Sequence, residues 1–285
     1  MCAVWSVILY CLASFVLGTD VFSVSGLIKS LLVFTWQPWW YVTQYILLYL
    51  CIPFLNAAIQ SMTKGKHLAC CMVAIFVFSL LPTITIFGSD FSGIGTGFSF
   101  IWLICLYLVA SYIRLHVSQP AKVQYRWLMA YLVCVMVTSA ECILRDVITI
   151  SGKMNLFYAY NSIVCFCSSL GLFMFFRSVQ ISSDLVASVT SSIAPLTLAV
   201  FLIHHYPQNK VWLWDTLHPY TYANSPIMIP YAIGCSLLIY IVCIGAEFLR
   251  IKLFTITQIE KLIDWLCDFF QRWIQKSIWR IAGHS

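Results

Sequence analysis

Charge is what this sequence has least of. Only 9% of its 285 residues are Asp, Glu, Lys or Arg, where a soluble globular domain has about a quarter. With 61% hydrophobic residues and a mean hydropathy of +0.90, that scarcity excludes a soluble globular domain and points to a polytopic membrane protein. Other absences narrow the reading. There is no C-x-x-C pair among the 13 cysteines, so a disulfide framework or zinc site gives way to small buried apolar thiols. No P-loop is present, which argues against ATP-driven transport by this chain. The first apolar run has no basic n-region and no clear small-residue cleavage site, so it reads as a retained helix and not a signal peptide. No linker exceeds roughly 22 residues, so no second folded domain is expected. With so few charges, the net +6 says little about nucleic acid, and no nucleic-acid partner is expected.

What is present is a series of apolar runs, each near the ~20 residues needed to cross a bilayer. They are Cys2 to Leu17, Trp40 to Ile59, Leu68 to Phe87, Phe98 to Leu115, Trp127 to Ile148, Phe157 to Phe176, Val186 to His205 and Ile227 to Phe248. The sequence therefore predicts an all-α, polytopic membrane helix bundle of about eight spans over residues 1–250, followed by a tail over 251–285. In the tail, Ile259, Leu262, Ile263, Leu266, Phe269, Phe270, Trp273 and Ile274 recur at helical spacing. An amphipathic helix with Arg272, Lys276 and Arg280 on its polar side fits a membrane surface bearing anionic lipid. Placing Lys64 and Lys66 in the cytoplasm puts 12 of the 16 Lys and Arg inside, as the positive-inside rule requires. Both termini are then cytoplasmic.

Candidate functional residues follow from polar groups that lipid penalises. In QPWWYVTQYILLYLCIPFLN (Gln37 to Asn56), Tyr41, Gln44, Tyr45 and Tyr49 recur at three- and four-residue spacing. This stripe suits a helix bundle or an aqueous cavity, with Ile46, Leu47 and Leu50 left for lipid. The same pattern also fits a structural helix whose tyrosines find local partners. Ionisable groups within spans are few: Glu141 with Arg145, the His204/His205 pair, and Glu247, paired with Arg250 at a helix end. Glu141 and Arg145 stand four apart, the spacing of an intrahelical ion pair, and equally suit a substrate contact. His204 is the candidate catalytic residue, because a neutral imidazole can take a proton from a hydroxyl and return it to a leaving group. An interfacial histidine without such duty is the alternative. Between Asn209 and Pro226, Trp212, Trp214, Asp215, His218, Tyr220 and Tyr222 mix aromatic and polar groups, which suits a sugar or an aromatic belt at the membrane surface. The segment Asp20 to Gln37 is amphipathic and reads as an outer interfacial stretch.

Three stretches in order carry a resemblance. WYVTQYILLYLCIPFLN, GTGFSFIWLICLYLVASYIRLH (Gly95 to His116) and TLAVFLIHHYP (Thr197 to Pro207) resemble the signature helices of the membrane acyltransferase type 3 family. The resemblance implies transfer of an acyl group, usually acetyl from acetyl-CoA, to a hydroxyl of a cell-envelope carbohydrate. It implies no bound cofactor, a plasma-membrane location, and the bilayer and an envelope glycan as partners. It adds Tyr107 and Arg114 to the candidate substrate-binding residues Tyr41, Gln44, Tyr45, Tyr49, Glu141 and Arg145, and places His204 at the family's Leu-Ile-His position. Family members begin with two further helices bearing an arginine and a histidine, which have no counterpart here. An upstream segment or a partner is therefore expected to supply them, and the activity of this chain alone is in doubt. A transporter, flippase or non-catalytic membrane partner is the alternative function, although no convincing repeat relates the two halves.

Overall fold

The computed structural model describes residues 40–84, 96–120, 122–148, 157–222 and 224–258, together with Lys261, Asp264, Trp265, Asp268, Phe269 and Arg272. At 145–148 and 207–208 it describes the backbone alone. The expected first span, the Asp20 to Gln37 segment, most of the glycine-rich stretch before Phe98 and most of the tail lie outside the described residues. The described ones are helical throughout their regular structure, with no strand among them. Five helices are long and apolar enough to cross a membrane: Trp40–Gln60, Lys64–Ile84, Tyr125–Leu144, Asp184–His204 and Met228–Ile256. Phe100–His116 and Ile163–Ser178 are shorter apolar helices.

The chain forms two compact units, and Trp39–Asp184 is the first. Its α1 (Trp40–Gln60) buries Thr43, Leu48 and Ile59. After a tight connection Thr63 caps α2, its hydroxyl accepting from the Lys66 N–H, as the open first turn of a helix requires. α2 runs from Lys64 to Ile84 with one widened π turn at Phe76–Leu80. Pro82 explains the widening. It has no N–H for the Phe78 carbonyl and its ring crowds that carbonyl, and the orphaned oxygen accepts instead from Asn161 Nδ2 at 3.2 Å. One turn on, the Thr83 hydroxyl donates to Ser79 O at 2.7 Å and accepts the Ile163 N–H at 2.9 Å.

α3 (Phe100–His116) packs against both α1 and α2. Its first turn is capped twice, by Ser99 Oγ on the Ile101 N–H and by Gln44 Oε1 on the Phe100 N–H at 2.8 Å. Ala74, Trp102, Cys105 and Phe166 form a core between α2, α3 and a later helix. That helix, α5 (Ile163–Ser178), packs closely on α4 (Tyr125–Ile148). A Cβ at Gly171 would stand 3.0 Å from Trp127 O and 3.2 Å from Tyr131 N, so the two backbones approach closely at a small residue, a feature enriched in membrane helix pairs. Gly171→Leu is expected to lower the thermal unfolding midpoint of the detergent-solubilised chain, by about 1–3 kcal/mol of stability on the scale of overpacked cores. An unchanged midpoint would show that this crossing is loose.

The contacts His67–His116, Gln124–Ser178 and Arg177–Val117 bring one set of helix ends together. There α1 ends, α2 begins, α3 ends, α4 begins and α5 ends. This end carries Lys64, Lys66, Arg114, Lys122, Arg126 and Arg177. Glu141, by contrast, lies toward the other end of α4, and Asp184 closes the unit. The unit thus has a basic end.

The second unit holds Leu185–Ser285. α6 (Asp184–Ile193) enters it and buries none of its residues, a 3-10 turn at Ala194–Leu196 contains Pro195, and α7 (Thr197–His204) completes the span. Ala199, Val200 and Ile203 of α7 pack with Cys243 of α9 (Met228–Ile256). Between them, the first part of the aromatic and polar stretch that was read from Asn209 to Pro226 lies in an eleven-residue helix, α8 (Pro207–Leu217). Proline is favoured in a first helical turn, and His218 stops the helix in the left-handed conformation at φ 44°, a common cap geometry. The connector is fastened to α9, since Tyr231 Oη donates to Leu217 O at 2.6 Å and the Tyr222 and Tyr231 rings lie 4.3 Å apart. α9 continues to Ile256, and Gln258 then turns the chain at φ 54°. Beyond it the described tail residues Asp264, Trp265, Asp268, Phe269 and Arg272 are helical and exposed, with Arg272 Nε donating to Asp268 O.

Candidate functional site

The tyrosine-rich face of α1 divides into groups fixed by neighbours and groups left outward. Gln44 spends its oxygen on the first turn of α3. Tyr41 stacks on Tyr45 with centroids 6.0 Å apart, while Trp40 meets Phe98 and Tyr160 edge-on or tilted. Tyr45 and Tyr49 are 48% and 65% exposed, so they point away from the face that α1 buries. Tyr107 joins the same helix pair one level down, its hydroxyl donating to Asn56 Oδ1 at 2.6 Å. Gln44 and Tyr107 therefore tie α1 to α3, whereas Tyr45 and Tyr49 face outward, away from that contact. Arg114 is exposed at the basic end.

Glu141 sits on α4 and accepts the Phe157 N–H through Oε2 at 3.1 Å. That bond fastens the turn leading to Ser162, which caps α5 by accepting from Cys165 N. The side chain of Arg145 lies outside the described residues. In the second unit the expected Glu247–Arg250 pair is present, and it is buried. Oε1 and Oε2 of Glu247 accept from Nη2 and Nε of Arg250 at 2.6 and 2.8 Å, and the guanidinium carbon lies 5.1 Å from the Phe254 ring centroid.

His204 ends α7 in the second unit. Its Nδ1 lies against Val200 O of its own helix, and a carbonyl can only accept, so Nδ1 carries the hydrogen. In the neutral ring the lone pair is therefore on Nε2, and the backbone fixes which nitrogen can take a proton. The ring is half-buried, beside Phe201 and His205. Asn209 Nδ2 secures the same helix end by donating to Ile203 O at 2.7 Å.

A second histidine arrangement, at the basic end of the first unit, was not found from sequence. His67 is 0% exposed in the first turn of α2. Its Nε2 lies 3.1 Å from Leu108 O and 3.4 Å from Ser111 Oγ, and its Nδ1 lies 3.3 Å from His116 Nε2. The rings of His67, Tyr112 and His116 contact one another at centroid distances of 5.0–5.4 Å. In the sequence His67 precedes the apolar run that begins at Leu68, and His116 closes the signature stretch that begins at Gly95. Only the register of the α2–α3 hairpin, with a residue near the start of one helix facing one at the end of the next, could have joined them. Among the described residues no group of three or more His, Cys, Asp or Glu is placed to hold a metal ion.

No curated protein and no solved structure matches the chain. A family model described as an acyltransferase domain, that of acyltransferase 3, matches residues 1–247. With most of its length matched and its helices apolar enough for a bilayer, the chain belongs to the acyltransferase 3 family of membrane acyltransferases.

Proposed function

We propose that this protein moves an acetyl group from acetyl-CoA to a hydroxyl of a cell-envelope carbohydrate, in the plasma membrane. The observation that carries the reading beyond family membership is the backbone-fixed tautomer of His204, which presents the Nε2 lone pair as a base for a hydroxyl. The acceptor hydroxyl loses its proton to Nε2 as its oxygen bonds to the acyl carbon, and the ring gives that proton up before the next turnover. Tyr41, Tyr45 and Tyr49, with Gln44, Tyr107, Arg114, Glu141 and Arg145, are the proposed substrate-facing residues. Exposed tyrosines beside hydrogen-bonding groups suit a sugar ring. The test is direct. Cells expressing the protein should incorporate labelled acetate into envelope polysaccharide as an ester that mild base releases. Envelope polysaccharide free of such label would overturn the reading.

The proposed arrangement has eight spans, with the basic end and the C-terminus in the cytoplasm. Single cysteines placed in a cysteine-free variant by Gly65→Cys and Ser285→Cys are expected to react with an impermeant maleimide only after permeabilisation. Gly65 has open space for a side chain. Ser92→Cys is expected to react on intact cells. Labelling of Gly65→Cys and Ser92→Cys from the same face would exclude the eight-span arrangement.

A further inference from the structure

The basic end of the first unit holds a buried imidazole, His67, in contact with a half-buried one, His116. Leu108 O can only accept a hydrogen, so in the neutral ring His67 carries its hydrogen on Nε2 and its lone pair on Nδ1. The hydrogen in the 3.3 Å contact with His116 therefore belongs to His116 Nε2, which leaves His116 with its lone pair on Nδ1. His67 is fully buried and His116 half-buried, so the outer ring of the pair is the one a substrate can reach. This chain of carbonyl, buried imidazole and outer imidazole matches the logic of an activated nucleophile, whose base is itself oriented by a third group. Around it stand Lys64, Lys66, Arg114 and Arg177, the last with its guanidinium on Val117 O at 2.6 Å, one residue beyond His116. Such a setting favours a substrate with an anionic carrier.

We propose that His116 receives the acyl group from a thioester with an anionic carrier, so that the donor half of the reaction runs through an acyl-histidine. The proposal rests on the acyl-transfer reading and extends it to a donor site in the first unit. Nδ1 of His116 attacks the thioester carbonyl, the C–S bond breaks, and the thiolate departs with the carrier. Acylation makes the Nε2 hydrogen acidic, and it passes to the Nδ1 lone pair of His67. The resulting His67 imidazolium keeps both of its hydrogens bonded, one to Leu108 O and one to His116 Nε2. A hydroxyl then attacks the acyl carbon and gives its proton to a base, the C–Nδ1 bond breaks, and His67 returns its proton to His116 Nε2, so both rings end neutral with the hydrogens they began with. The fit of two imidazoles, where a simple hydrogen-bond acceptor would suffice to hold one ring, is what the step explains.

The experiment uses the full chain in lipid nanodiscs with acetyl-CoA and no acceptor. Wild type should release a burst of about one thiol per chain, and acid-quenched protein should carry acetyl on the peptide containing His116. His116→Ala should abolish the burst. His67→Asn places an oxygen where Nδ1 was, able to hold His116 but unable to take its proton, and should slow the burst by about 10²-fold, the scale of a lost general base. If His116→Ala fails to fold, His116→Gln takes its place. A burst that survives at His116→Ala or His116→Gln, or a wild-type chain that transfers acetyl to an acceptor without any burst, overturns the acyl-histidine and leaves the acyl-transfer reading standing. A wild type that neither bursts nor transfers sinks both.

Discussion

His204→Ala is expected to lower acetyl transfer to the acceptor by roughly 10²-fold or more, with the folded amount of protein unchanged. The reason lies in one backbone contact. Val200 O holds the Nδ1 hydrogen, so the wild-type ring does not divide its time between two tautomers, and Nε2 is ready as a base whenever the ring is neutral. Alanine removes the base and one helix-end hydrogen bond. It leaves the packing of Ala199, Val200 and Ile203 against Cys243 as it was. The kinetic signature separates base from scaffold. Loss of a group used in the transition state lowers kcat with KM little changed, whereas a structural histidine reduces yield or thermal midpoint and leaves kcat per folded molecule alone. Transfer within about twofold of wild type in well-folded His204→Ala protein, well short of the 10²-fold scale of a lost general base, would remove His204 from the chemistry.

The largest effect on stability is expected at the Glu247–Arg250 pair. Glu247 is 3% and Arg250 8% exposed, and the two form a bidentate ion pair within the apolar α9. Removing one partner leaves the other charge buried without its counter-ion, which in such settings costs about 3–5 kcal/mol. Glu247→Ala should therefore unfold in detergent at a much lower temperature than wild type. Replacing both residues with leucine removes the two desolvation penalties together and should restore most of that loss. Measured beside the single variants Glu247→Leu and Arg250→Leu, the double leucine variant closes a cycle that tests the coupling itself. A Glu247→Ala protein that melts with wild type would mean that the carboxylate does not hold the guanidinium in solution.

How much of this was legible in the sequence depends on the range of the contact involved. The spans from Trp40 onward fall on helices because hydrophobic length is a local property. Their ends were less legible, because ends are set by single side chains. The sixth span was expected from Phe157, but the helix begins at Ile163, where Ser162 supplies the cap and Glu141, 16 residues before Phe157, holds the preceding turn. α8 was missed because its eleven residues mix tryptophan with Asn209, Lys210 and Asp215, a composition that resembles a polar connector. Gln44 was legible as a polar residue with a job. The job itself, capping α3, needed a partner 56 residues away. His67 and His116 illustrate the limit best, since each is unremarkable in its own segment and they acquire chemistry only from the hairpin that brings them together.

The Phe78 carbonyl carries a consequence for how the protein is made. Pro82 denies that oxygen its helical donor, and the donor that replaces it, Asn161, is 83 residues further along the chain. At roughly 5–20 residues per second, synthesis of that interval takes roughly 4–17 s. Throughout it, α2 is already emerging with an acceptor whose final partner does not yet exist, in surroundings where an unmet carbonyl is costly. Residues 64–84 therefore reach their final hydrogen bonding only once the turn that holds Asn161 has been made.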